Sequence, residues 1–283
     1  MPRACYNEEK EGACRMKIFI SADIEGTTGI VHWDETEKNH ADWKYFSEQM
    51  SREVAAACQG AIDAGCDDII VKDAHDSARN IDPRALPECS RLHRGWAGLP
   101  GSMMMCLDGS FTGCVFTGYH SGASWGTSPL SHTMNLGNCY VKINGERVSE
   151  MAINGMQAAY YGVPLLCVTG DKGICDAAKA ANPNIETVAV NEGFGNGSLS
   201  IHPDLAVRRI REAVARALSK PDLKTMLYPL PEHFAVEICY KKHQSALRAC
   251  QYPGVRAVDD TTAAFDADDY MDVLRTFKWI LSD

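Results

Sequence analysis

Four apolar runs in this chain each end on a carboxylate or an imidazole. Lys17 to Ala22 (KIFISA) is followed by Asp23 and Glu25. Asp68 to Lys72 (DIIVK) is followed by Asp73 and His75, Gly113 to Thr117 (GCVFT) by His120, and Pro164 to Thr169 (PLLCVT) by Asp171. Surface carboxylates are common, and Asp171 alone would carry no weight. The concentration of Asp, Glu and His beyond successive hydrophobic segments is what points to a metal site. Asp23 and Glu25 stand two residues apart on extended chain and so project to one side, and Asp73 and His75 repeat that arrangement. Gly26 and Gly29 allow a sharp turn, or a close approach, behind the first pair. Glu150 adds a carboxylate in the first turn of a helix, where the helix dipole alone would also favour an acidic residue.

Imidazole mixed with carboxylate, without thiolate, suits zinc, manganese or another first-row ion better than calcium. Two histidines and three carboxylates exceed one tetrahedral site. They suit two ions sharing a bridging carboxylate, ~3.5–4 Å apart. Such a pair holds a hydroxide at neutral pH and polarises a carbonyl, which is the chemistry of amide hydrolysis. His132, in Ser131-His132-Thr133-Met134, is either an acid/base group or a surface loop histidine. His32, His40, His93, His202, His233 and His243 show no partner pattern. HExxH and GKS/T motifs are absent from the sequence. Gly193-Phe-Gly195-Asn-Gly197 is not GxGxxG and is expected to be a flexible loop.

The elements that must position these residues follow from periodicity. Trp43, Phe46, Met50, Val54, Cys58 and Ile62 recur at helical spacing, with Gly65 as a stop. Asn80 to Gly101 reads as loop with short strands, and Ser121 to Ser131 as a glycine- and serine-rich loop. Cys139 to Ile143 and Glu146 to Val148 flank Asn144-Gly145, a strong hairpin signal. Helices are expected at Ser149 to Tyr161, Asp171 to Ala181, Pro203 to Ser219, Gln244 to Cys250 and Ala267 to Leu281. Further strands are expected at Glu186 to Val190, around HFAVEICY, at Val255 to Val258 and at Thr261 to Phe265. Strands alternating with helices predict an α/β fold: a mainly parallel sheet flanked by helices, with a smaller mixed α/β subregion toward the C-terminus. In such sheets ligands bind beyond the carboxyl ends of the strands, where the Asp, Glu and His residues fall.

Composition sets the outer limits. With 283 residues, 45% of them hydrophobic and 23% charged, the chain is ordinary globular material rather than disordered or coiled-coil. A net charge of −9 gives no general attraction to phosphate backbones, so no nucleic-acid partner is expected. No apolar run approaches the ~20 residues that cross a bilayer, and the acidic N-terminus lacks a signal-peptide core, so no membrane partner is expected. The 12 cysteines include no CxxC pair; Cys58, Cys66, Cys114, Cys167 and Cys239 fall in apolar periodic segments. They are expected to be buried free thiols of a reducing, cytoplasmic protein, with Cys5 and Cys14 in a polar leader. The expected organisation is a leader outside the fold (1–15), a metal-binding α/β core (16–190), and a C-terminal α/β portion (191–283) that completes the fold and contributes to assembly.

Taken together, Ser21-Ala-Asp23-Ile-Glu25-Gly26-Thr-Thr-Gly29 resembles the SxDxEG opening of the zinc-dependent D-aminopeptidases of the DppA type. The resemblance continues through Val71-Lys-Asp73-Ala-His75-Asp-Ser77, Gly118-Tyr119-His120, Ser131-His132-Thr133-Met134, Val148-Ser-Glu150, Tyr160-Tyr161-Gly-Val-Pro164 and Gly170-Asp171. It implies two Zn2+ per subunit, with Asp23 bridging, Glu25 and His75 on one ion, and His120 and Glu150 on the other. It implies a catalytic role at His132, described in the family as a nucleophile; chemically, an acid/base or intermediate-stabilising role beside a metal-activated water is preferable. It also implies a homodecamer of two stacked five-fold rings. Two departures stand out. The leader is additional, and the loop Ser121 to Leu130 is one residue longer, with Trp125 placed to reshape a substrate pocket. The leading expectation is a metallo-aminopeptidase that releases an N-terminal D-residue from short peptides or amino-acid amides. The alternatives are a metal-dependent amidase acting on another small amide and a ring-forming peptide-binding scaffold.

Overall fold

The computed structural model describes residues 16–281; the leader, 1–15, with Cys5 and Cys14, lies outside the described residues. In chain order the elements are β1 (Lys17–Ala22), α1 (Trp43–Asp63), β2 (Asp68–Asp73), β3 (Ser90–His93), β4 (Gly113–Tyr119), β5 (Asn138–Ile143), β6 (Glu146–Arg147), α2 (Glu150–Tyr160), β7 (Leu165–Asp171), α3 (Lys172–Ala181), β8 (Glu186–Phe194), β9 (Gly197–Ser200), α4 (Pro203–Leu218), β10 (Phe234–Tyr240), α5 (His243–Ala249), β11 (Arg256–Ala257), β12 (Thr262–Ala267) and α6 (Tyr270–Ile280).

Seven strands form one sheet in the order β3-β2-β1-β4-β7-β8-β9. It is parallel from β3 to β8, and only β9 runs antiparallel, against β8. Strands β4 and β7 are buried along their whole length, as continuous apolar runs covered on both faces must be. Right-handed crossovers build outward from β1 in one direction and from β4 in the other. Helices α1 and α4 therefore pack together on one face, and α2 and α3 on the opposite one. The strand order reverses between β1 and β4, so the loops leaving these two strands diverge and open a crevice at their carboxyl ends.

The second sheet is antiparallel, in the order β11-β12-β10-β5-β6. Its hairpin turns on Asn144 (φ +53°) and Gly145 (φ +85°), the two left-handed positions of a type I′ turn. The sheet draws β5 and β6 from mid-chain, while β9 and α4 serve the first sheet, and the expected boundary at 190/191 falls inside β8. Helix α2 lies between the two cores: Met151 and Ala158 pack into the first, Ala152, Ile153 and Met156 into the second. The Ser149 hydroxyl caps α2 by accepting from the Ala152 N–H.

Three expectations are corrected. Gly193 to Gly197 is not a flexible loop but the tip of the β8/β9 hairpin. Gly193 is held by close packing, because a Cβ there would stand 2.6 Å from the Thr127 carbonyl oxygen, whereas Gly195 turns the hairpin at φ +59°. The last helix begins at Tyr270, not Ala267, since Ala267 still pairs in β12 and the Asp269 carboxylate provides the cap, accepting from the Met271 N–H. Cys239 is half-buried, whereas Cys58, Cys66, Cys114 and Cys167 are buried; all are free thiols. Among the described residues no helix is long and apolar enough to cross a membrane.

One buried charge stands apart. Lys72 on β2 is 0% exposed, and its Nζ donates to the carbonyls of Asp73 (2.6 Å) and Gly95 (2.9 Å) and sits 4.1 Å from the Trp96 ring centre. Burial, only partly offset by the Asp73 charge, pulls its pKa down to about 8. Below pH 8 the lysine is charged whether folded or unfolded, and the cost of burying it is fully present. Between pH 8 and ~10.5 the folded state releases a proton that the unfolded state keeps, so folding gains with rising pH. Relative to Lys72→Met, the wild type should gain about 3 kcal/mol across that interval in pH-dependent denaturation. A difference that stays flat with pH would mean the lysine titrates normally.

Candidate metal centre and its cavity

The carboxyl ends of β1, β2 and β4 carry Asp23, Glu25, His75 and His120 to the crevice, and the first turn of α2 brings Glu150 to it. All five are buried. The β1 loop is tied to β4 by two backbone bonds, Asp23 N–H to the Thr117 carbonyl (2.9 Å) and Gly26 N–H to the Gly118 carbonyl (2.8 Å). Gly26 has to lack a side chain here, because a Cβ would lie 1.9 Å from the Tyr119 carbonyl oxygen.

Each histidine is aimed by a backbone carbonyl. His75 Nε2 donates to the Thr36 carbonyl (3.0 Å), His120 Nδ1 to that of Ser121 (3.0 Å) and His132 Nδ1 to that of Leu130 (2.9 Å). The second nitrogen of every ring then presents its lone pair to carboxylates, which is how metal-binding histidines are usually oriented. His75 Nδ1 lies 3.4 Å from Asp23 Oδ1 and 3.1 Å from Glu25 Oε2. His120 Nε2 lies 3.5 Å from Asp23 Oδ2 and 3.4 Å from Glu150 Oε1. His132 Nε2 lies 3.5 Å from Glu150 Oε1 and 3.8 Å from Glu25 Oε1.

These separations test whether a metal fits. Ligand atoms ~2.0–2.2 Å from a tetrahedral zinc stand about 3.3–3.6 Å from one another. Glu25 Oε2 and His120 Nε2 are buried without a hydrogen-bond partner, a costly arrangement unless a cation lies between such groups. Three sets of donors converge closely enough to hold an ion: Asp23, Glu25 and His75; Asp23, His120 and Glu150; and Glu25, His120 and His132. Asp23 belongs to the first two.

The electrostatics point the same way. Burial opposes ionisation of Asp23, yet the facing His120 and His75 rings hold its carboxyl well below the usual range. Burial would likewise raise Glu150, but His120 and then His132 bring it down. Burial alone would lower His75 and His120, while the facing Glu25 and Glu150 charges and the neighbouring Asp23 raise both well above the ordinary imidazole value. The cluster concentrates negative charge and attracts positive charge, whether protons or a divalent ion.

His132 is held as firmly as the others. Its ring stacks on His120 (centroids 4.1 Å apart, planes 6° apart) and meets the edge of Trp33 at 5.2 Å. It lines a cavity of about 680 Å3 together with Asp23, Glu25, His75 and Glu150, whereas His120 lies behind it. That volume falls in the small-ligand range of ~300–1,000 Å3.

Asp73 does not join the cluster. Its carboxylate accepts from Asn80 N (2.5 Å), Asn80 Nδ2 (3.0 Å) and Ile81 N (2.8 Å), bracing the loop after His75. Asp171 also faces away, capping α3 through Ile174 N (2.8 Å) and accepting from the Ser121 N–H (2.6 Å) and hydroxyl (2.7 Å). Trp125 packs on Gly122 rather than lining the cavity. Sequence reasoning missed the three orienting carbonyls, which residue type does not report. It also missed the cavity walls supplied by Asn154 and Gln157 of α2 and by Leu274 and Phe277 of α6. The first pair was within reach, standing four and seven positions after Glu150 on the same helical face.

The comparisons with known proteins agree with this geometry. The sequence profile of the D-aminopeptidase family matches residues 16–279. A D-aminopeptidase of Bacillus subtilis (strain 168) is 30% identical over 259 residues, 91% of this chain and 93% of that protein. A solved structure, the Zn-dependent D-aminopeptidase DppA from Bacillus subtilis, a self-compartmentalizing protease, is 28% identical with a TM-score of 0.87, covering 95% of this chain and 99% of that one. On a strand-end carboxylate and histidine cluster, a matching fold and a family match along nearly the whole described chain, this protein belongs to the D-aminopeptidase family, hydrolases of peptide bonds.

Proposed function

We propose that the enzyme releases an N-terminal D-residue from short peptides or amino-acid amides at a centre of two zinc ions, a role manganese or another first-row ion could also fill. The observation that carries this reading is the position of Asp23, which belongs to two donor sets, one completed by Glu25 and His75 and the other by His120 and Glu150. A carboxylate facing both ways is what a bridged pair requires. Bound there, the ions would polarise the scissile carbonyl and lower the pKa of a water.

The chain's own residues would do the rest. Thr36, Ser121 and Leu130 fix the histidine tautomers through their carbonyls. His132 keeps its proton on Nδ1, bonded to Leu130, and leaves Nε2 free toward the cavity. That nitrogen would accept a proton as the carbonyl is attacked and return it to the departing amine. Trp33 and His120 hold the ring so that the transfer needs little reorganisation. With five assigned ligands elsewhere, His132 would act in proton transfer or in stabilising the intermediate rather than as a ligand.

A homodecamer enclosing its active sites is the assembly proposed, in keeping with the self-compartmentalizing relative. Phe194 (61% exposed) and Leu199 (65%) on the edge hairpin β8/β9 support burial of that edge against another subunit, with the 191–281 portion contributing. A cytoplasmic location accords with the free thiols.

These readings make three predictions. First, His75→Ala and His120→Ala should each lower the metal bound per subunit, and Asp23→Ala should lower it further; metal analysis equal to wild type in all three would end the ligand assignment. Second, His132→Ala should keep its metal and fold and lose ~10²–10⁴ in rate on D-aminoacyl amides, mainly in kcat. Metal loss would make it a ligand, unchanged rates would make it a bystander, and a rise in KM alone would make it a binding group. A panel of D- and L-aminoacyl amides and unrelated amides separates the aminopeptidase from a general amidase. Third, mass photometry should find a decamer, and a stable monomer would contradict the assembly.

A further inference from the structure

Away from the metal centre, the second sheet holds two thiols that the aminopeptidase reading does not use. On β10, Phe234, Val236, Ile238 and Tyr240 are buried, so Glu237 and Cys239 stand on the outer face. Strand β5 keeps step with β10 from Ile143, opposite Val236, to Tyr140, opposite Cys239. There the register slips. Tyr240 pairs with Asn138, and Cys139 is left without a partner of its own in the ladder. In such a β-bulge two residues of one strand stand against one of the other, so Cys139 and Tyr140 both oppose Cys239.

Plain alternation would turn Cys139 inward beside Val141, which is buried. Instead Cys139 is half-buried, as Cys239 is, and both are free thiols. Burial, and after it the facing Cys239 thiol, push the Cys139 thiol up, with Lys241 working the other way. Opposed residues on antiparallel strands have Cα atoms ~4.5–5.5 Å apart, inside the ~4.4–6.8 Å that a disulfide spans. The same strand end ties down the loops around the centre. The Cys139 carbonyl accepts from the Ser124 hydroxyl (2.5 Å), and Asn138 Nδ2 donates to the carbonyl of Thr133 (2.7 Å), the residue after His132.

We propose that Cys139 and Cys239 form a thiol–disulfide exchange site, which a low-molecular-weight disulfide closes into an internal cross-link that braces the strand end below the His132 loop. The thiolate of one cysteine attacks the small disulfide, forms a mixed disulfide and expels one small thiolate. The second cysteine, as thiolate, then attacks the protein-side sulfur, forms the Cys139–Cys239 bond and expels the other. Two protein thiols are oxidised, one small disulfide is reduced to two thiols, and the two protons pass to the departing thiolates. In a reducing compartment the pair stands open and closes when small disulfides accumulate. The two cysteines are 100 positions apart, so the bond closes a long loop and restricts the unfolded chain.

The experiment treats the metal-loaded enzyme with oxidised glutathione and maps its cysteine peptides by mass spectrometry. The expected result is a peptide pair joined through Cys139 and Cys239, lighter by two hydrogens and separated again by dithiothreitol. A glutathionyl group on Cys106, which is exposed, shows that the reagent reached the protein. Cys106 modified with Cys139 and Cys239 still reduced, or either of these two left as a lasting mixed disulfide, would overturn the proposal. Cys139→Ser and Cys239→Ser should each abolish the linked pair, and either serves if the other does not fold. The oxidised wild type should also unfold at a higher urea midpoint than the reduced one, a shift that Cys139→Ser loses; equal midpoints in the wild type would overturn the bracing.

Discussion

Three carboxylates buried within a few ångströms of one another cannot remain uncompensated, and much of the architecture around the crevice answers to that constraint. Asp23, Glu25 and Glu150 come from two segments more than a hundred residues apart and are almost fully shielded from water. The repulsion among them falls only if positive charge lies between them. The histidines do not supply it by chance. Each ring has one nitrogen occupied by a backbone carbonyl, so the other faces the carboxylates. Bare imidazole and carboxylate lone pairs opposed at 3.1–3.5 Å would repel, so the arrangement is stable only with protons or metal ions between them. The cluster raises His75 and His120 and lowers Asp23, the directions of a site that draws positive charge.

This constraint explains why the fold needs two sheets. The parallel sheet alone delivers four of the clustered side chains, because its order reverses between β1 and β4 and their loops part. The fifth, Glu150, has to arrive from outside. It sits at the start of α2, whose entry point is set by the β5/β6 hairpin of the second sheet and by the Ser149 cap. Because α2 is buried between both cores, its position depends on the packing of each. A helix anchored on one side only would leave Glu150 free to swing away from the charge it is meant to share. The Met134 N–H donates to Glu150 Oε1 (2.7 Å), which ties the His132 loop to the same carboxylate.

The strand-end carboxylates and imidazoles were legible in the sequence for a simple reason: a run of buried aliphatic residues must end where the sheet ends, and the residues that follow fall at its edge. Asp23, Glu25, His75 and His120 were placed at one edge by that rule, and the hairpin was found by Asn144-Gly145. The same rule put Asp73 at that edge, but its carboxylate turns to the loop at Asn80 and Ile81, because spacing fixes where a residue stands and not what its neighbours donate. Gly193 to Gly197 was misread because glycine serves mobile loops, tight turns and close packing alike: Gly193 packs on Thr127, whereas Gly195 takes the left-handed turn position. The far wall of the cavity joins 99–105 to Leu274 and Phe277, segments that no local pattern connects.

His132 shows how the cluster fixes the orientation of a loop residue. Stacked 4.1 Å from His120, it shares a face with a ring whose outer nitrogen is already committed to Asp23 and Glu150. Two positive charges at that distance would repel by about 4 kcal/mol at an effective dielectric constant of ~20. The carboxylates of Glu25 and Glu150 lie 3.8 and 3.5 Å from His132 Nε2 and offset such repulsion, and the Leu130 carbonyl, the His120 face and the Trp33 edge fix the ring from three directions.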